Sequence, residues 1–324
     1  MRLIASVRCC EEGGAKTILI TGATSGLGRA SALALAACLP PSSHIYLSGR
    51  NSSSASALIA QISTLHPSVR TTFLPLDLAD LASVAAAADT VLAAETKLDV
   101  LLANAGVAAV PPGRRTKDGY EMHFGTNHVG HALLVRKLLP LLEKAEGGGR
   151  VVSVTSFAYR AGVLLGGVGV GGMLSSASLA GMKGEGAGMG MGVGDYLMVG
   201  RWMRYAESKL ANVVYARELA RRYPTVVSVA VSPGFVETEM VEGMRFCDRV
   251  GTRVMGLLAG GLVSPEEGAR NQVWAATVER GELVNGAVYD PVGVVSSGMT
   301  GVATDPVVGE RLWEWTEKEI SSWL

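Results

Sequence analysis

The sequence predicts a doubly wound α/β fold with a mostly parallel, seven-stranded sheet and helices on both faces. Three observations carry this. Short apolar runs alternate with helical stretches, the runs are apolar at successive positions, and a glycine-rich turn joins the first run to the first helix. A strand that is apolar on both faces needs cover on both sides, which crossover helices supply.

The elements follow in chain order. Residues 17–21 form a β-rich apolar run, and residues 27–39 a helix halted by Pro40 and Pro41, which cannot continue it. The unit repeats as strand 44–48, helix 53–65, strand 71–75, alanine-rich helix 80–95 and strand 99–103. A long helix over 118–143 leads through Gly147, Gly148 and Gly149 into strand 150–155, and a helix over 205–222 precedes strand 226–231. A helix over 265–279, a strand at 287–290 and an amphipathic helix over 306–320 complete the pattern. One domain spanning residues 1–324 is predicted, with no repeat of fixed period.

One segment breaks the rhythm. Residues 160–200 are rich in Gly and Met, and their spacing shows no sustained apolar period. Such a stretch has little buried surface to offset its ordering entropy, so it is expected outside the folded core, cut first by proteases and tolerant of shortening. A lid over substrate, a disordered excursion and a stretch wrongly retained in translation are the readings it allows.

Composition narrows the function. Lys plus Arg and Asp plus Glu both total 29, so the chain lacks the basic excess that nucleic-acid phosphates require, and no nucleic-acid partner is expected. Cys9, Cys10, Cys38 and Cys247 form neither a CxxC pair nor a disulfide framework, which points to a reducing, cytoplasmic setting and to no metal site. Glu11 and Glu12 interrupt the apolar start, so the first residues read as a short tail rather than a secretory leader. Residues 161–182 are uncharged but hold seven glycines and three serines, too weakly apolar for a transmembrane span.

The turn Thr21-Gly22-Ala23-Thr24-Ser25-Gly26-Leu27-Gly28 follows the first strand and opens the first helix. Glycines there let a backbone approach a pyrophosphate, and the helix N-terminus attracts its charge, so Gly22, Thr24, Ser25, Gly26, Leu27 and Gly28 are candidate cofactor residues. Strand two ends at Arg50, where a site for NAD presents Asp or Glu to the ribose; a guanidinium suits a 2′-phosphate and favours NADP, unless Arg50 is a solvated loop residue. Asp77, just past strand three, is placed either to accept from an adenine amine or to cap a helix. Tyr205 and Lys209 share a helix face at i, i+4, where an ammonium can lower a phenol's pKa; taken alone, the pair reads first as an amphipathic helix with a half-buried Tyr.

Asn104-Ala105-Gly106, Asn127 and Ser156 stand in order between the turn and that pair. Together these five motifs resemble the short-chain dehydrogenase/reductase family over residues 17–289. Asn127-His128-Val129-Gly130-His131, Ser208-Lys209-Leu210-Ala211-Asn212 and Ser232-Pro233-Gly234 look most like its retinol-dehydrogenase and WW-domain-oxidoreductase branch. The resemblance implies that Tyr205 exchanges the substrate oxygen's proton, Ser156 hydrogen-bonds that oxygen, and Lys209 lowers the Tyr205 pKa and holds the nicotinamide ribose. It further implies that Asn127 continues a water-linked relay, that Asn104 and Gly106 line the cofactor, and that Ser232, Pro233, Gly234 and Thr238 frame the nicotinamide. Ser156 is preferred to Ser153 because the family's hydroxyl sits at the strand's end. The 49 positions from Ser156 to Tyr205 exceed the family's usual spacing.

Other residues receive bland readings. His123, His128 and His131 lack cysteine or carboxylate companions at metal spacing and read as hydrogen-bonded helix residues, and the five tryptophans read as packing. The apolar run 254–263 suits a pocket wall or core packing. The resulting expectation is an NADP(H)-dependent enzyme that interconverts a carbonyl and an alcohol, chiefly as a reductase, on a small lipophilic substrate of retinoid, steroid or polyketide type. The alternatives are a non-catalytic NADP sensor and a membrane-surface protein that uses the Gly/Met segment and the apolar run for peripheral contact.

Overall fold

A computed structural model of the chain describes residues 14–160, 174–183, 198–236, 261–299 and 301–324. Seven strands form one sheet: β1 (Thr17–Ile20), β2 (His44–Gly49), β3 (Arg70–Pro75), β4 (Val100–Ala103), β5 (Arg150–Val154), β6 (Val227–Val231) and β7 (Val288–Tyr289). Their order is β3-β2-β1-β4-β5-β6-β7, and every neighbouring pair is parallel. The chain walks outward from β1 to β3, then returns to the other side of β1 for β4. That reversal opens a crevice at the carboxyl ends of β1 and β4, where ligands of open α/β sheets bind.

Alternate strand residues feed two cores. Leu19, Leu101 and Val151 face one side of the sheet, packed under α3 (Leu81–Ala94), α4 (Gly130–Glu143), α6 (Met198–Arg222) and α8 (Pro306–Ile320). Ile18, Ile20, Leu102 and Val152 face the other, under α1 (Gly26–Cys38), α2 (Ser52–Leu65) and α7 (Arg270–Thr277). Local chemistry sets the boundaries. Asn51 and Asp80 cap α2 and α3 with their side chains, and Asp305 caps α8 ahead of Pro306.

Three elements depart from expectation. The helix predicted over 118–143 starts only at Met122, because Gly119 turns left-handed at φ +88 and closes a small hairpin with Thr116. It then passes through a π-turn, Gly125–Val129, before α4. The helix predicted over 265–279 is broken into Pro265–Gly268 and α7.

The third departure lies inside the Gly/Met-rich segment. Residues 161–173 and 184–197 lie outside the described residues, but Leu174 and the helix α5 (Ser176–Lys183) between them belong to the packed core. Leu174, Leu179 and Met182 are at most 1% exposed. Glu207 of α6 accepts hydrogen bonds from the Leu174 amide and the Ser178 hydroxyl, while the Met182 carbonyl accepts from the Glu121 amide. Lys183 pairs with Glu319 of α8, whose carboxylate also accepts from the Tyr120 hydroxyl. The expectation that the whole of 160–200 stays outside the core is therefore corrected: three apolar side chains, too few to set a period, suffice to dock this part.

No helix among the described residues is long and apolar enough to cross a membrane. Four tryptophans pack as expected: Trp313 stacks on Tyr215 at 5.1 Å, Trp315 meets Phe124 edge-on, Trp274 meets Tyr289, and Trp323 leans on the core. Trp202 packs against Tyr205 and also lines the cleft.

Candidate active site

A cleft of about 370 Å³ opens over the carboxyl ends of the strands. Its floor is the glycine-rich turn. Gly22 and Gly26 adopt φ +64 and +48, and a Cβ on Gly28 would lie 2.1 Å from the Gly22 carbonyl oxygen, so only glycine lets the turn and α1 pack this closely. Thr24, Ser25 and Leu27 line the cleft with these glycines. Ser25 occupies the α1 N-cap without a side-chain cap bond, which leaves the helix's first amides facing the cleft.

At one end the cleft reaches Arg50, exposed after β2, and Asp77 after β3. One Asp77 carboxylate oxygen accepts from the Ala79 amide, and the α3 cap falls to Asp80 instead. Asn104, after β4, lies on the far side of the turn from this end. Its Nδ2 donates to the Thr21 carbonyl at 2.8 Å, which locks the end of β1 to the end of β4.

The other end gathers Ser156, Tyr205 and Lys209, together with Gly106, Pro233 and Gly234. Thr155 orients this cluster, since its amide donates to Val231 and its hydroxyl donates to the Lys209 carbonyl at 2.9 Å. The Ser156 hydroxyl accepts from the Ala158 amide at 3.3 Å and lines the cleft with the Tyr205 phenol. Lys209 Nζ donates to the Val154 carbonyl at 2.9 Å and lies 5.8 Å from the Tyr205 ring centre. Ser153, the rejected alternative, does not line the cleft.

Asn127 sits in the π-turn, behind Gly106. Its Oδ1 accepts from the Val107 amide at 2.8 Å, and its Nδ2 donates to the Val107 carbonyl and the Ser208 hydroxyl. A Cβ on Gly106 would touch Asn127 Oδ1 at 3.2 Å and Lys209 Nζ at 3.3 Å, so Asn127, Gly106 and Lys209 converge. Thr238 lies outside the described residues, as do residues 254–260 of the apolar run. Ser232 is buried just beneath the cleft.

Electrostatics differ from the expected lowering of the Tyr205 pKa. Burial pushes the phenol up, opposed by the Ser156 hydroxyl, and burial pulls Lys209 down to about 8. Each group alone resists its charged form, whereas a phenolate and an ammonium together would neutralise one another.

The three histidines are hydrogen-bonded, as expected. His123 pairs with Glu121 and accepts from the Val110 amide, His128 meets Thr316, and His131 meets Thr21 and the Asn127 carbonyl. Burial lowers His128 to about 3 and His131 to about 4. Two residues that sequence reading missed also shape the site. Trp202, one turn before Tyr205, lines the cleft and meets the phenol edge-on at 5.8 Å. Gln272 of α7 donates to Ser31 and to Asn104 Oδ1 from across the fold. The i, i+3 spacing of Trp202 and Tyr205 was a usable signal; nothing local marks Gln272.

The cleft fits a dinucleotide on its own chemistry. The turn leaves no room for side chains where a pyrophosphate would press, a cation stands at one end, and buried Ser48 lines the wall with its hydroxyl unpartnered among the described residues.

Comparison with known proteins agrees with the geometry. A family model described as short chain dehydrogenase matches residues 16–168. A short-chain dehydrogenase/reductase from Armillaria gallica is 32% identical, covering 93% of this chain and 89% of its own. Human retinol dehydrogenase 11 is 31% identical over 92% of this chain and 84% of its own, and mouse polyprenol dehydrogenase 33% identical over 92% and 82%. The crystal structure of NADPH-bound carbonyl reductase from chicken fatty liver shares the fold at a TM-score of 0.58 and 22% identity, over 87% of this chain and 98% of its own.

Proposed function

The chain belongs to the short-chain dehydrogenase/reductase family of oxidoreductases, and from that premise we propose that it uses NADP(H) to interconvert a carbonyl and an alcohol on a small lipophilic substrate. The observation that carries the reading is one cleft with Arg50 at one end and the Ser156–Tyr205–Lys209 cluster at the other. The glycine-rich turn and Asn104 would hold the dinucleotide between them, with Pro233 and Gly234 at the nicotinamide. When bound, the nicotinamide supplies the hydride chemistry.

The protein's part is to place the substrate oxygen and manage its proton. Ser156 fixes that oxygen through its hydroxyl, and Tyr205 holds the proton on its phenol oxygen. Burial keeps Tyr205 protonated at neutral pH, which suits donation and hence reduction. Lys209 compensates charge at the phenol, while Asn127 fixes Val107 and Ser208 around it through hydrogen bonds. Trp202, Met122, Phe235 and Val236 give the substrate end an apolar lining. Human retinol dehydrogenase 11 and mouse polyprenol dehydrogenase carry lipophilic alcohols in their names, which supports the same substrate class here. An NADPH-oxidation screen over retinoid, steroid and polyketide carbonyls tests the proposal; dinucleotide binding with no turnover on any panel would favour the sensor reading.

Two further results are expected. Arg50→Ala loses about 10- to 150-fold in NADPH affinity, the value of a charge-assisted contact of roughly 1.5 to 3 kcal/mol, and leaves NADH affinity unchanged. Titration of both cofactors checks this, and equal losses remove Arg50 from 2′-phosphate recognition. The rate constant kcat/KM for reduction is expected to fall above pH about 8, as Lys209 loses its proton while Tyr205 keeps its own. A pH profile flat to 10 would exclude the Lys209 charge from catalysis.

A further inference from the structure

A buried ring ties the turn that carries Asn127 to the glycine-rich turn. His131 is 6% exposed, with Nδ1 3.0 Å from the Asn127 carbonyl oxygen and Nε2 2.9 Å from Thr21 Oγ1. A carbonyl only accepts, so the ring's proton sits on Nδ1, and Nε2 presents its lone pair to the Thr21 hydroxyl. Thr21 Oγ1 in turn accepts from the amides of Asn104 and Ala105, each at 2.9 Å. The ring nitrogens, the hydroxyl proton and the oxygen's lone pairs are all used. The Leu102 carbonyl lies 3.4 Å from the same hydroxyl, but only a proton directed to Nε2 at 2.9 Å satisfies the ring, and the chain of bonds then runs from the π-turn to the ends of β1 and β4.

What hangs on each end gives the ring its importance. The π-turn carries Asn127, whose amide fixes Val107 in the cleft wall and Ser208 beside Lys209. The other end carries Gly22 and Asn104, which shape the floor. We propose that His131 is a positioning residue for the dinucleotide reaction, setting the separation between the cluster behind Lys209 and the turns that receive the cofactor. This rests on the oxidoreductase reading above. His131 does not line the cleft; it acts through Asn127 and Thr21.

Three substitutions separate its two bonds. His131→Phe keeps the ring's bulk and removes both. In His131→Gln the side-chain carbonyl can still accept from Thr21, and in His131→Asn the shorter amide can still donate to the Asn127 carbonyl. Titration of NADPH and NADH, and amide hydrogen exchange compared with global stability, are the readouts. His131→Phe is expected to weaken both dinucleotides about tenfold, the upper range for one neutral hydrogen bond. It should speed exchange at 104–107 and 125–130 beyond what lost global stability explains. His131→Gln restores affinity to within about threefold yet leaves 125–130 fast; His131→Asn does the reverse. Thr21→Val and His131→Phe are expected to be non-additive in affinity, because they break one shared chain.

The proposal is overturned if His131→Phe lowers the melting temperature alone, with affinity and local exchange tracking wild type, or if the Thr21 and His131 effects simply add. A wild-type protein that binds neither dinucleotide would refute the oxidoreductase reading instead. The exchange measurements would then still decide whether His131 ties the two turns.

Discussion

Tyr205→Phe is expected to bind NADPH with nearly wild-type affinity and to turn over at least about 10²-fold more slowly, the low end for losing a positioned acid. The substitution removes one oxygen. The ring stays seated between Trp202 at 5.8 Å and His123 at 6.2 Å, so the fold and the cleft wall are preserved. What disappears is the hydroxyl that, in the proposed mechanism, holds the substrate's proton. Lys209 keeps its bond to the Val154 carbonyl, which leaves its place in the cleft intact. Binding and chemistry should therefore separate: cofactor titration changes little while single-turnover reduction collapses. Purified Tyr205→Phe with near-normal turnover would take Tyr205 out of the mechanism.

The strands and the glycine-rich turn were legible because their signals are local. Runs such as Thr17–Ile20 are apolar on both faces, and Pro40, Pro41 and the glycines punctuate them. The Tyr205–Lys209 spacing on one helix was legible for the same reason. Ser156, Tyr205 and Asn127 could be grouped only by resemblance, since strand order brings them together over long separations. The π-turn was invisible: nothing in Gly125–Val129 distinguishes it from an α-helix. The pKa of Tyr205 was misjudged because adjacency to Lys209 can be read from spacing, whereas burial cannot.

Residues 174–183 were misjudged for a related reason: composition averages over a segment, but docking depends on a few side chains. Their removal is expected to destabilise the fold severely. Replacing 174–183 with a Gly/Ser linker deletes three side chains buried in the core, each worth about 2–5 kcal/mol by analogy with large-to-Ala changes. It also strips Glu207, buried in α6, of the Leu174 and Ser178 donors. The combined loss rivals the roughly 5–15 kcal/mol that holds a domain together, so the variant should fail to fold or melt far below wild type. Because an unfolded variant identifies no single contact, Leu179→Ala and Glu207→Gln carry the finer test. Leu179→Ala should cost about 2–5 kcal/mol. Burial pushes the Glu207 carboxyl above the usual carboxylate range, so the stability it contributes is present in acid and lost as pH rises from near 4.5 through its folded value. Relative to wild type, Glu207→Gln should accordingly gain stability between pH 4.5 and neutrality, measured by denaturant midpoints at each pH. A linker variant that melts with wild type, or a Leu179→Ala change below about 0.5 kcal/mol, would return the segment to the surface.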